Sequence, residues 1–150
     1  MPPRLPYLLD TSILVVLVRG GKLGRYMEDQ YHLSAHPSRP LISIISVGEA
    51  LKAAKEFGWG ENKINTLWEL LGNFVWVGNQ RREILESYAE IAHYCEGQMK
   101  PAKTKPQNDY WIAATAKVTG ATLLTTDKHF DDLHGKFIDR IWIDEALGKQ

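Results

Sequence analysis

Cysteine is almost missing from this chain. Cys95 is the only one among 150 residues, which excludes an internal disulfide and suits a reducing compartment such as the cytoplasm. Long apolar runs are also missing. The best candidate, "YLLDTSILVVLV", is interrupted by Asp10 and ended by Arg19, well short of the roughly 18 residues that read as a membrane span. Residues 1–6 lack the basic segment and apolar stretch of a secretory signal. Nor does one sign of charge dominate. Lys plus Arg equals Asp plus Glu at 18 each, so a polyanion would have to be attracted by local lysines or bound cations, not by the field of the whole protein. Finally, no Cys/His cluster has zinc spacing; His93 in an apolar helix and His129 in a turn read as structural or surface residues.

What remains is an ordinary globular composition, 44% apolar and 24% charged. The length predicts one domain over residues 1–150 that buries about 68–70% of its unfolded surface. Strands and helices alternate. Strands are expected at 7–10 ("YLLD"), 41–45 ("LISII"), 74–77 ("FVWV"), in "ATLLTT" and at 141–143 ("IWI"). Helices are expected at 12–18, 22–31, 46–57, 61–71, 81–95 and 109–118. The helix at 61–71 has Ile64, Leu67, Trp68 and Leu71 on one face, and that at 81–95 has Ile84, Leu85, Tyr88, Ile91, Ala92 and Cys95. Continuous apolar strands between helices predict an α/β fold whose mostly parallel central sheet is covered on both faces, a three-layer α/β/α arrangement.

In such sheets ligands bind beyond the carboxyl ends of the strands. Asp10 and Asp127 fall there, Glu49 follows the second strand, and Asp109 opens the helix that feeds the strand before Asp127. Each acid also has a structural explanation. Ser46 and Glu49 fit an S-x-x-E capping box. Asn108 and Asp109 suit a helix cap and first turn. Asp10 can be a turn residue before Thr11 or Ser12 caps a helix, and Asp127 can cap a short turn through His129 and Phe130. Gathered at one edge, however, four carboxylates repel one another, and a divalent cation removes that cost. Oxygen-only sets favour Mg²⁺ or Mn²⁺.

"LLDTSIL", "SVGEALKAA", "NDYWIAATA" and "LLTTDKHF", in that order, resemble PIN-domain ribonucleases, and among them the VapC-type toxins of prokaryotic toxin–antitoxin pairs. The likeness runs from Tyr7 to about Ile143. It implies a PIN-like three-layer fold and places the family's acidic quartet on Asp10, Glu49, Asp109 and Asp127, with Thr11, Ser12, Asn108 and Thr126 in support. Asp131 and Asp132 are nearby carboxylates of lower rank. The resemblance further implies one or two Mg²⁺ or Mn²⁺ ions and an endoribonuclease that hydrolyses RNA phosphodiester bonds with activated water, leaving 5′-phosphate and 3′-hydroxyl ends. The implied partners are the RNA substrate, a cognate antitoxin protein and a second copy of the chain, with no membrane.

Two divalent ions would also answer the zero net charge, by turning an acidic pocket into a phosphate attractor. Lys100, Lys103 and Lys105 precede Asp109 and are candidates to hold the substrate backbone, or else form a solvated Pro/Lys loop. Lys128 and Arg81-Arg82 have weaker claims. Tyr110 and Trp111 could stack on bases, although a place in the core suits Trp111 better. Two alternatives stay open: a non-catalytic PIN-like RNA- or protein-binding domain, and a PIN nuclease of RNA maturation. A phospho-receiver domain fits poorly, since neither "LISII" nor "FVWV" ends in Asp.

Overall fold

The computed structural model describes residues 5–34, 39–97 and 104–149. Five strands, β1 (Tyr7–Leu9), β2 (Leu41–Ser43), β3 (Val75–Val77), β4 (Thr122–Thr125) and β5 (Asp139–Trp142), form one sheet in the order β3-β2-β1-β4-β5. Every pairing is parallel. The helices are α1 (Thr11–Arg19), α2 (Gly21–Tyr31), α3 (Ile44–Glu56), α4 (Glu61–Gly72), α5 (Arg82–Gly97) and α6 (Gln107–Thr119). Short 3-10 segments cover Lys128–Leu133 and Glu145–Lys149. The expected three-layer α/β/α architecture with its parallel sheet is what forms.

The two-residue alternation of strands explains how one short strand serves two cores. Tyr7 and Leu9 of β1, with Leu124 of β4, face a cluster built from Ile13, Leu14, Met27, Leu67 and Leu71 of α1, α2 and α4. Leu8 and Leu123 face the opposite cluster, built from Ile84, Ile91 and Cys95 of α5, Ile112 and Ala113 of α6, and Phe130 and Leu133. Both faces are covered, as parallel strands require. β1 and β4 are adjacent although far apart in sequence, so the chain reverses its direction of progress across the sheet between them, the place where ligands bind in open α/β sheets.

Several local expectations are corrected. The second strand stops at Ser43, whose hydroxyl caps α3 by accepting from the Ile45 N–H at 3.1 Å, so the capping box at Ser46 and Glu49 does not form. Ser46 lies buried inside the helix instead. α6 starts at Gln107 behind Pro106, which puts Asn108 and Asp109 inside its first turn. The last strand is Asp139–Trp142, starting two residues and ending one residue earlier than expected. Trp68 and Leu85 sit at the edges of their apolar stripes and stay half-exposed, at 48% and 47%. Gly120 ends α6 at φ 70°, a left-handed turn that glycine adopts without strain.

Candidate active site at the carboxyl edge of the sheet

β1 and β4 run in register, with Leu8 opposite Leu123 and Leu9 opposite Leu124. One step further along, the Asp10 N–H donates to Leu124 O at 3.0 Å and Asp10 comes to lie beside Thr125. The register therefore dictates the first contact of the site. Asp10 Oδ2 accepts from the Thr125 hydroxyl at 2.8 Å and from the Ser12 hydroxyl at 2.9 Å. The Ser12 oxygen in turn accepts from the Thr126 N–H (3.1 Å), and Thr125 Oγ1 accepts from the Asp127 N–H (2.9 Å). Two hydroxyls thus lock the start of α1 to the end of β4. The indole N–H of Trp142 closes the far side by donating to Thr126 O at 3.0 Å. Asp10 is 6% exposed, and its burial pushes its carboxyl above the usual range against the pull of these hydroxyls.

Glu49 reaches the site from the second turn of α3. Its Oε1 accepts from the Thr11 hydroxyl at 2.7 Å and its Oε2 from the Asn108 amide at 3.2 Å, tying α1, α3 and α6 together. Asp109, in the first turn of α6, contrasts with both. Its Oδ2 is buried and accepts no hydrogen bond. The His129 Nδ1 stands 3.3 Å from it, within ion-pairing reach, and 3.1 Å from Asp127 Oδ2. Asp127 itself caps the 3-10 turn by accepting from the His129 N–H at 2.9 Å. The Asp109 carboxyl is pushed up to about 7, first by burial, then by the charges of Asp10 and Asp127; His129 opposes the shift and Glu49 adds to it. The fold has brought the four acids into one electrostatic neighbourhood.

Among the described residues, no three His, Cys, Asp or Glu side chains stand as a ready-made metal cage. The donor chemistry nevertheless fits a divalent cation of the Mg²⁺ type, which typically keeps several waters and takes only one or two carboxylates from the protein. Asp109, with a buried oxygen that accepts no hydrogen bond and a neighbouring carboxylate at Asp127, could hold such an ion together with Asp10 and Glu49.

Thr11, Ser12 and Asn108 touch the acids directly, whereas Thr126 contributes its backbone and the hydroxyl on Asp10 belongs to Thr125. His129 lies between Asp109 and Asp127, a role its place in a turn did not suggest. The missed signals are a buried polar residue ending an apolar strand opposite Asp10, and a His two positions after a capping Asp. Lys100 and Lys103 lie outside the described residues. Lys105 departs from the expectation of a substrate-reaching cation, since it is buried and its ammonium pairs with Asp132 at 2.8 Å. Asp131 pairs with Arg140 at 2.8 Å, so each of these lower-ranked carboxylates has an ion-pair partner elsewhere, and Asp132 Oδ2, like Asp109 Oδ2, is buried without a hydrogen bond. Tyr110 is buried and accepts from the Lys105 N–H; Trp111, half-buried, stacks on Tyr88 at 3.9 Å.

Residues 7–136 match the PIN domain family. The chain belongs to that family. Its fold is shared with VapBC2 from Rickettsia felis bound to a DNA fragment from its promoter: TM-score 0.73, 19% identity, 92% of this chain and 98% of the other covered. VapBC-1 from nontypeable Haemophilus influenzae aligns with TM-score 0.70 and 24% identity over 91% and 96% of the two chains. VapBC-5 from Mycobacterium tuberculosis, of the VapBC family of toxin-antitoxin systems, gives 0.65 and 17% over 91% and 98%. No curated protein matches in sequence. None of the described helices of this PIN domain is long and apolar enough to cross a membrane.

Proposed function

We propose that this PIN domain is a Mg²⁺- or Mn²⁺-dependent endoribonuclease and the toxin of a toxin–antitoxin pair. The observation that carries the reading is Asp109. A buried carboxylate oxygen with no hydrogen bond, whose burial and then three neighbouring acids raise the group's pKa to about 7, is unfavourable for a structural residue and suits the uptake of a divalent cation. Membership of the PIN family and a fold shared with toxin–antitoxin proteins support the same reading.

Asp10, Glu49, Asp109 and Asp127 are assigned as the metal-holding residues. When bound, the cation supplies an acidified water and positive charge for the attacking and leaving oxygens of a phosphodiester. The protein's own part is positional. Ser12 and Thr125 fix the Asp10 carboxylate, Thr11 and Asn108 fix Glu49, and the Thr126 peptide is held from both sides by Ser12 and Trp142. Such outer partners orient first-contact groups and typically matter by about 10–100-fold in metal affinity or activity. His129 holds positive charge against Asp109 and Asp127 when protonated, and so balances part of their repulsion in the metal-free protein. The partners assigned are RNA, a cognate antitoxin and a second copy of the chain, in the cytoplasm.

The test is cleavage of a panel of structured RNAs by the purified chain in Mg²⁺, Mn²⁺ or EDTA, with Asp10→Asn and Asp109→Asn alongside. Metal-dependent cleavage that both folded variants lose by about 10²–10³-fold or more is expected. Cleavage that survives in the variants removes the acidic assignment.

A further inference from the structure

Lys105 and Asp132 take no part in the site as described, yet they frame it. The Lys105 ammonium lies 2.8 Å from Asp132 Oδ1, with the lysine side chain 5% exposed and the aspartate 31%. The Lys105 N–H donates to the Tyr110 hydroxyl at 2.9 Å, which anchors this point of the chain to the first turn of α6. Asp109 follows Lys105 by four residues, and Asp132 follows His129 by three. A closed ring results. One arm runs from Lys105 to Asp109 and the other from Asp127 to Asp132. The inner tie is His129 against Asp109 and Asp127, and the outer tie is the Lys105–Asp132 pair.

The two ties differ in kind. His129 is 57% exposed, and any cation taken up by Asp109 and Asp127 competes with its imidazole for the same oxygens. The outer pair has its lysine buried and its aspartate partly exposed, and it uses none of those oxygens, so a cation taken up there does not compete for its partners. Phe130, Leu133 and Tyr110 already supply apolar packing between the arms, but apolar contact is non-directional. A charge-assisted hydrogen bond adds direction. Stability alone does not account for the pair, because an ion pair that takes a lysine out of water is often matched or bettered by apolar residues of similar volume.

We propose that Lys105 and Asp132 are positioning residues: their ion pair, made by a buried lysine, fixes the distance between the first turn of α6 and the 3-10 turn, and so the spacing of Asp109 and Asp127 that admits a divalent cation. The inference rests on the metal-dependent reading above and deepens it.

The test compares the full chain with Lys105→Met/Asp132→Leu, Asp132→Asn and Lys105→Arg. Binding of Mn²⁺ alone is followed by calorimetry, thermal midpoint by circular dichroism, and amide exchange by mass spectrometry. The double variant should melt close to wild type yet bind Mn²⁺ about 10–100-fold more weakly. Its kcat on RNA should fall with little change in KM. Its exchange should quicken over residues 127–133, where the His129 N–H is bonded to Asp127. Asp132→Asn should show the same losses at smaller size, and Lys105→Arg should recover most of the binding. Wild-type Mn²⁺ affinity in both the double variant and Asp132→Asn overturns the proposal. If the wild-type chain itself binds no Mn²⁺, or Asp109→Asn binds it equally well, the metal reading fails separately. Exchange then decides the clamp: quickening over 127–133 upholds it, and no change overturns it.

Discussion

Asp10 and Asp109 are neighbouring acids on the same sheet edge, and the fold treats them in opposite ways. Asp10 is the more buried and has one oxygen held by two hydroxyls. Asp109 keeps an oxygen that is buried and without a hydrogen bond, facing other negative charges. The first is a fixed point of the scaffold that links β1, α1 and β4. The second is a point of local conflict whose relief requires positive charge. A site can therefore be rigid on one side and electrostatically unsatisfied on the other, and the unsatisfied side is where a cation gains most.

The sharpest way to break this contrast is to remove each carboxylate in metal-free protein. Asp10→Ala leaves the Ser12 and Thr125 hydroxyls without their acceptor and should cost about 2–3 kcal/mol in denaturant unfolding. Asp109→Asn removes a repelled charge and should leave stability unchanged or raise it. Equal losses in the two variants would erase the distinction.

Thr125→Val tests the fixed side more finely. It keeps the side chain's shape but removes both the hydroxyl on Asp10 and the acceptor for the Asp127 N–H, for an expected loss of about 1–3 kcal/mol. Thr126→Val leaves the backbone bonds to Ser12 and Trp142 in place and should have a much smaller effect, measured in the same unfolding experiment.

The unsatisfied side has a pH signature. The folded-state pKa of Asp109 is raised from the ordinary 3.8 to about 7, so the folded chain binds a proton more tightly than the unfolded chain between those values. Its contribution favours folding while the group is protonated and is lost as pH rises through that window. Metal-free protein should therefore lose stability from pH 5 to pH 8 more steeply than Asp109→Asn does. Mn²⁺ at about 100 times its Kd should restore about 2.7 kcal/mol at pH 8. Parallel pH profiles for the two proteins would show that Asp109 is not the strained group.

The smallest effect concerns two serines at the start of α3. Ser43→Ala should cost about 1 kcal/mol by loss of a helix cap. Ser46→Ala should be neutral or stabilising, since the buried Ser46 hydroxyl has no hydrogen-bond partner. Thermal midpoints of the two variants check the order.

Local chemistry made much of this molecule legible in one dimension. Apolar strand stretches, helical periodicity and breaking glycines announce the alternation of elements, and parallel pairing follows because the central strands β1 and β4 are buried on both faces. The four acids could be picked out because strand ends and helix starts are local features. Cap positions are less legible: Ser43 lies within the expected strand 41–45, and only the length of β2, set by its pairing with β3, makes it the cap in place of Ser46. Thr125 instead of Thr126 on Asp10, His129 between Asp109 and Asp127, and Lys105 buried against Asp132 depend on register and on contacts between distant segments. By itself, the sequence determined which residues can carry charge and where strands give way to helices, because those properties belong to single residues and their near neighbours. Only the tertiary structure decided which charges face each other, because long-range pairing is fixed by the packing of the whole chain.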